Sequence, residues 1–96
     1  MRRRRRRPLS GSPRAHAAAL PFYEREVRLA AKRAQHSAEA GKCRLALVDL
    51  QLAAETMGWA RAEAAYGRVK GGRLDRKTTE ALEEAASAIR WKCVSR

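Results

Sequence analysis

The chain has 96 residues, of which 22 are lysine or arginine and 10 are aspartate or glutamate, so its formal net charge is +12. This length allows one small domain, and no segment approaches the roughly 18 consecutive apolar residues of a membrane-spanning helix. Aromatic residues make up only 5% of the chain, so its core must pack mainly through small side chains, above all alanine.

The first 20 residues form a basic arm. They include Arg2, Arg3, Arg4, Arg5, Arg6, Arg7 and Arg14, and no acidic residue. Repulsion between like charges and the shortage of apolar side chains predict that residues 1–20 are disordered. The arginine run also fits a nuclear localisation or organelle-targeting segment, whereas a secretory signal would need an apolar stretch after the charges.

The first two predicted helices span residues 21–40 and 42–57. Pro21 suits the first position of a helix, and Gly41 suits the left-handed turn that ends one. The second helix has one apolar stripe of Leu47, Leu50, Ala54 and Met57, and another of Leu45, Val48, Leu52 and Trp59. A helix with two apolar faces packs on both sides or buries one face in a homodimer.

Two further helical segments are predicted at residues 59–69 and 76–93. Gly58 ends the second helix or merely bends it, so the 59–69 segment is either separate or continuous with the second helix. Gly71 and Gly72 mark a break, and Asp75 is a suitable N-cap for the last helix. Since no strand pattern occurs, we predict an all-α bundle of three to four helices over residues 21–96, preceded by a disordered arm.

Two isolated cysteines, Cys43 and Cys93, bear on the redox compartment. One disulfide is conceivable if the helix ends meet, but the wide spacing favours free buried thiols. Free thiols favour an intracellular, reducing location or a virion over secretion.

The stretch GKCRLALVDLQLAAE at residues 41–55 resembles the second helix of a tetratricopeptide repeat. The likeness rests on a glycine turn followed by Ala46, Leu50 and Ala53 in the pattern A-x3-L-x2-A. No second copy occurs at the 34-residue period of a repeat array. The resemblance implies a helical hairpin and a role in binding other proteins.

The charge pattern predicts binding to nucleic acid. The arm resembles, in composition alone, the basic arms of viral genome-packaging proteins and protamine-like tails. Arginine stays charged and can grip a phosphate with two N–H groups, which binds without reading sequence. A second basic cluster surrounds the glycine turn, where the first amides of the last helix are expected to assist. Its members are Arg68, Lys70, Arg73, Arg76 and Lys77.

Other site types find little support in the sequence. The aromatic residues Trp59, Tyr66 and Trp91 are expected to pack in the core rather than stack on bases. Neither histidine lies near a cysteine or acid at ligand spacing, so we expect no metal, no cofactor and no enzymatic activity. We therefore expect a small, non-enzymatic protein that binds DNA or RNA electrostatically, with a viral or phage accessory role. The alternative is a helical protein–protein adaptor whose arm serves targeting or solubility.

Overall fold

The computed structural model describes residues 11–94, which form three α-helices and no strands. These are α1 (Pro13–Glu39), α2 (Cys43–Tyr66) and α3 (Arg76–Ile89), with a 3₁₀ turn at Arg68–Lys70 and a π-helical turn at Arg90–Val94. The predicted all-α bundle of three to four helices is confirmed for this part of the chain. The predicted disorder of the arm falls largely on residues 1–10, which lie outside the described range.

Helix α1 begins eight residues earlier than predicted. Its N-cap is Ser12, whose hydroxyl accepts a hydrogen bond from the Ala15 amide, and Pro13 occupies the first turn. Pro21 therefore lies inside the helix, where proline removes one backbone hydrogen bond. Burial of His16 and Leu20 against neighbouring elements offsets that loss. Residues 13–20 consequently belong to the folded body and not to a disordered arm.

Helix α2 runs unbroken through Gly58. The turn before it contains Gly41 in the predicted left-handed conformation, with φ of 80°. The segment predicted at 59–69 is continuous with the second helix as far as Tyr66, and only Arg68–Lys70 forms a separate short turn. A Cβ at Gly58 would meet no atom within 4 Å, so this glycine lies on an open side of the helix.

Helix α3 packs beside α1 and runs in the same direction. Asp75, its predicted N-cap, accepts a hydrogen bond from the Lys77 amide, and the Asp75 amide donates to Glu24 on α1. At the other end of α3, Ile89 packs in a cluster with Ala34 and Ala38. The α-helix stops at Ile89, and the π-helical turn continues to Val94, one residue beyond the predicted end.

The core is built from small side chains. Ala46, Ala53 and Ala60 of α2 are fully buried, and α1 contributes four more buried alanines. Small residues allow the helix backbones to approach closely. The predicted buried stripe was therefore partly wrong, because Leu47 and Ala54 are exposed while Ala46, Ala53, Met57 and Ala60 face the core.

Cys43 and Cys93 form a disulfide, so the expectation of free thiols was wrong. The parallel course of α1 and α3 carries the end of the chain back to the α1–α2 turn, where α2 begins with Cys43. The two Cα atoms are 5.6 Å apart. The expected reducing compartment rested on free thiols, and the bridge removes that support.

Candidate nucleic-acid interface

The basic loop between α2 and α3 lies beside the start of α1. A Cβ added to Gly67 would lie 2.5 Å from the Ala17 backbone nitrogen, so this turn rests directly on the first part of α1. The Gly72 amide donates to the Gly67 carbonyl at 2.9 Å, which closes the turn on itself. The loop and the point where the N-terminal arm joins the body therefore lie at one end of the molecule, which we call the arm end.

A buried polar pair fixes the arm end. The Nδ1 of His16 lies 2.7 Å from the Glu63 Oε1, and both side chains are almost fully buried. The His16 ring also contacts the ring of Tyr66, with centroids 5.3 Å apart. These contacts tie the first turns of α1 to the last turns of α2.

A second polar network fixes the start of α3. The Glu24 Oε2 accepts from the Asp75 amide at 2.6 Å and from the Thr78 hydroxyl at 3.2 Å. Arg28 donates to the same hydroxyl at 2.9 Å. Glu24 and Thr78 are buried, so these hydrogen bonds hold the basic loop in a set position relative to α1.

The described bases of the predicted site come together at the arm end. Each is exposed, and within residues 11–94 none of them forms an ion pair. They occupy the first turn of α1, the turn after α2, the loop and the first turn of α3. They are Arg14, Arg68, Lys70, Arg73, Arg76 and Lys77.

The acidic residues of this region are already engaged. Glu63 is buried against His16, Glu24 is buried under the α3 start, and Asp75 caps α3. Asp75 is itself exposed, so the surface carries an excess of bases over this one exposed carboxylate. The Asp75 carboxylate already accepts from the Lys77 amide, so the first turn of α3 offers less to a phosphate than the sequence suggested.

The arm arginines Arg2–Arg7 lie outside the described residues. Their attachment point does not, because α1 begins at Pro13 with Ser12 as its cap. The structure therefore brings together the joining point of the arm and the loop bases, which are separated by more than 50 residues in sequence. Sequence reasoning identified both groups but had no means to join them.

The large aromatic residues are not core residues as expected. Trp59, Tyr66 and Trp91 are all exposed. Tyr66 lies at the arm end against His16, where its outer face is open to solvent. An exposed tyrosine beside a basic surface offers a platform on which a base of a single strand can stack.

Two other features are absent from the described residues. No three His, Cys, Asp or Glu side chains within residues 11–94 are placed to hold a metal ion. In the same range, no helix is both long and apolar enough to cross a membrane. No protein-family model matches the chain, and no curated protein or solved structure is significantly similar to it.

Proposed function

We propose that this protein binds nucleic acid through its arm end, by contacts with phosphates and without reading base sequence. The observation that carries the proposal is the placement of the unpaired loop bases beside the start of α1, where the arginine run Arg2–Arg7 is attached. The six described bases give this surface an excess of positive charge over its exposed carboxylate, Asp75, and the sequence adds six arginines ahead of α1. Such a surface attracts a polyanion and binds it with a strong dependence on salt.

The proposal predicts a specific salt dependence. If Arg2–Arg7 each neutralise one phosphate of a duplex, replacing all six with glutamine reduces the slope of log affinity against log salt by about 5. Replacing Arg73, Arg76 and Lys77 with glutamine reduces it by about 2 to 3. The measurement is binding of labelled single- and double-stranded oligonucleotides to the full chain over a salt series.

A matched control lies at the opposite end of the molecule. Arg44, Arg90 and Lys92 are exposed bases near the disulfide. Replacing these three with glutamine removes the same charge as the loop variant but should leave the slope almost unchanged. Equal effects of the two triple variants would mean that net charge and not the arm end governs binding, and would refute the proposed site.

A genome-packaging or accessory role in a virus or phage is the finer form of this proposal. It is supported by the compositional likeness of the arm to packaging proteins, and by binding that needs no sequence recognition. Indifference to oligonucleotide sequence in the same assay is its first requirement. A strong preference for one sequence would exclude it.

A second candidate function is that of a helical protein–protein adaptor. The observation in its favour is the row of large apolar side chains that α2 presents to solvent, including Leu45, Val48 and Leu52. Exposed apolar side chains in a continuous row mark interaction surfaces. This function needs no arm, so binding of a protein partner should survive loss of the arm arginines.

A further inference from the structure

Helix α2 carries an exposed apolar stripe along its whole length. Leu45, Leu52, Trp59 and Tyr66 follow one another every seven residues, and each exposes 41–51% of its surface. Val48 widens the stripe near its start. Residues seven apart lie on one side of a helix, with a drift of only about 20° per repeat. A seam along which a second helix packs uses two positions in every seven residues; this stripe fills one of them throughout, and Val48 fills the other near the start.

Helix α1 supplies a second wall beside this stripe. The Arg33 Nε lies 3.6 Å from the Asp49 Oδ1, so α1 and α2 meet here on the same outer side. Leu29 of α1 is 48% exposed and lines a groove of about 580 Å³ together with Leu45 of α2. The molecule is only 15 Å thick in its shortest dimension, so no further layer of the described chain covers this side. A furrow between two antiparallel helices suits an added helix.

The rim of this groove is positively charged. Lys32 and Arg33 line the α1 side. Lys42 and Arg44 line the apolar hollow that continues past Leu45. Asp49 is the single acid that lines either space in the described chain, and it is paired with Arg33. The apolar floor and basic rim therefore match a helix whose apolar face is flanked by carboxylates.

The same charges argue against a second copy of this chain as the occupant. Two copies packed through this groove would bring one basic rim close to another. Like charges held close together across an interface repel each other and disfavour association. An acidic partner gains attraction from the charges that would repel a copy.

We propose that the α1–α2 groove binds an amphipathic helix of a partner protein, with leucine-type side chains on Leu29, Leu45 and Leu52 and carboxylates on the basic rim. This inference rests on the adaptor function proposed above and is independent of nucleic-acid binding. The groove lies on the outer side of the hairpin and does not include Tyr66, which lies at the arm end.

The test uses a labelled synthetic helix as the probe. A peptide of about 18 residues spans about 27 Å as a helix. It carries leucines at helical spacing on one face and glutamates beside them, and a scrambled peptide of the same composition lacks the apolar face. Fluorescence anisotropy with the full chain at about 0.15 M salt should give saturable binding of the amphipathic peptide and at least tenfold weaker binding of the scrambled one.

Two variants locate the site. Leu52→Glu places a like charge against the peptide and should weaken its binding about tenfold or more. Val69→Glu is the matched control, because Val69 is a more exposed apolar residue on the turn after α2. It should leave the affinity unchanged. Circular dichroism of both variants checks that the helices are intact.

Three results would overturn the inference. Equal affinity for the two peptides, or no saturable binding below about 1 mM, would show that the groove does not bind an amphipathic helix. Loss of peptide binding in the variant that lacks the six arm arginines would show that the peptide binds the arm and not the groove. A dimer in sedimentation equilibrium that dissociates on Leu52→Glu would make a second copy the occupant. Oligonucleotide binding should be unaffected by Leu52→Glu, so failure of this inference and failure of the nucleic-acid proposal are distinguishable.

Discussion

The inner and outer faces of α2 carry side chains of different size, in an unusual arrangement. The inner face buries small residues such as Ala46, Ala53 and Ala60, while the outer face exposes large ones such as Leu45, Leu52 and Trp59. A helix in a small domain ordinarily buries its largest apolar residues because they gain most from leaving water. In this bundle the helices pack closely, so small residues lie between them and large residues lie on the surface. The inner face packs against the other helices, and the outer face is exposed.

The covalent link at the start of α2 should contribute most to the stability of the inner packing. Cys43 and Cys93 are 50 residues apart in sequence, and the chain-entropy model assigns about 4 kcal/mol to a bridge over such a loop. The double variant Cys43→Ala with Cys93→Ala should lose about that much free energy of unfolding, measured by guanidinium denaturation. Reductant should move the native protein to the same midpoint, and a variant with an unchanged midpoint would contradict the prediction.

The inner face of α2 should not tolerate a larger residue. Ala53 is fully buried against the neighbouring helices, so Ala53→Leu should destabilise the fold by about 3 kcal/mol through overpacking. The next residue, Ala54, is exposed and provides the control, since Ala54→Leu adds the same atoms to the solvent side. Thermal unfolding of both variants compares the faces directly. A similar melting temperature for the two would mean that the alanine face is not tightly packed.

Alanine substitutions at Gly58, within α2, and at Gly67, just after it, should change the free energy of unfolding in opposite directions. A Cβ at Gly67 would lie 2.5 Å from the Ala17 backbone, whereas a Cβ at Gly58 would meet nothing within 4 Å. We expect Gly67→Ala to cost about 2 kcal/mol, because backbone must move. Gly58→Ala should stabilise the helix by about 0.5–1 kcal/mol. Urea denaturation checks both, and a stabilising Gly67→Ala would contradict the contact with α1.

Truncation of a side chain on the outer face of α2 should hardly change the free energy of unfolding. Leu52→Ala removes a half-exposed side chain, and alanine and leucine both favour helix, so the free energy of unfolding should change by less than about 0.5 kcal/mol. The same variant should still weaken binding of the amphipathic peptide. Chemical denaturation and anisotropy on one preparation measure both. A loss of stability comparable to that of Ala53→Leu would mean that Leu52 belongs to the core.

Part of the proposed binding surface could be predicted from sequence because charge is readable residue by residue. The loop bases and Arg14 were identified from their types and spacing, and all of them are exposed. Their proximity to the start of α1 was not readable, because it depends on the contact of Gly67 with Ala17. Only one wall of the α1–α2 groove was predicted from sequence. The stripe of Leu45, Val48 and Leu52 was recognised, but its second wall at Leu29 was missed, since a lone leucine among bases carries no signal of its own.

By itself, the sequence determined the all-α class, the Gly41 turn, the Asp75 cap and the places where basic residues accumulate. Each of these depends on local chemistry, such as helical periodicity, glycine conformation, capping and charge. Only the tertiary structure decided that α1 begins at Pro13, that Cys43 meets Cys93, and that α2 buries alanines and exposes leucines. These outcomes depend on how closely and in which direction the helices pack, and that is a property of contacts between residues far apart in the chain.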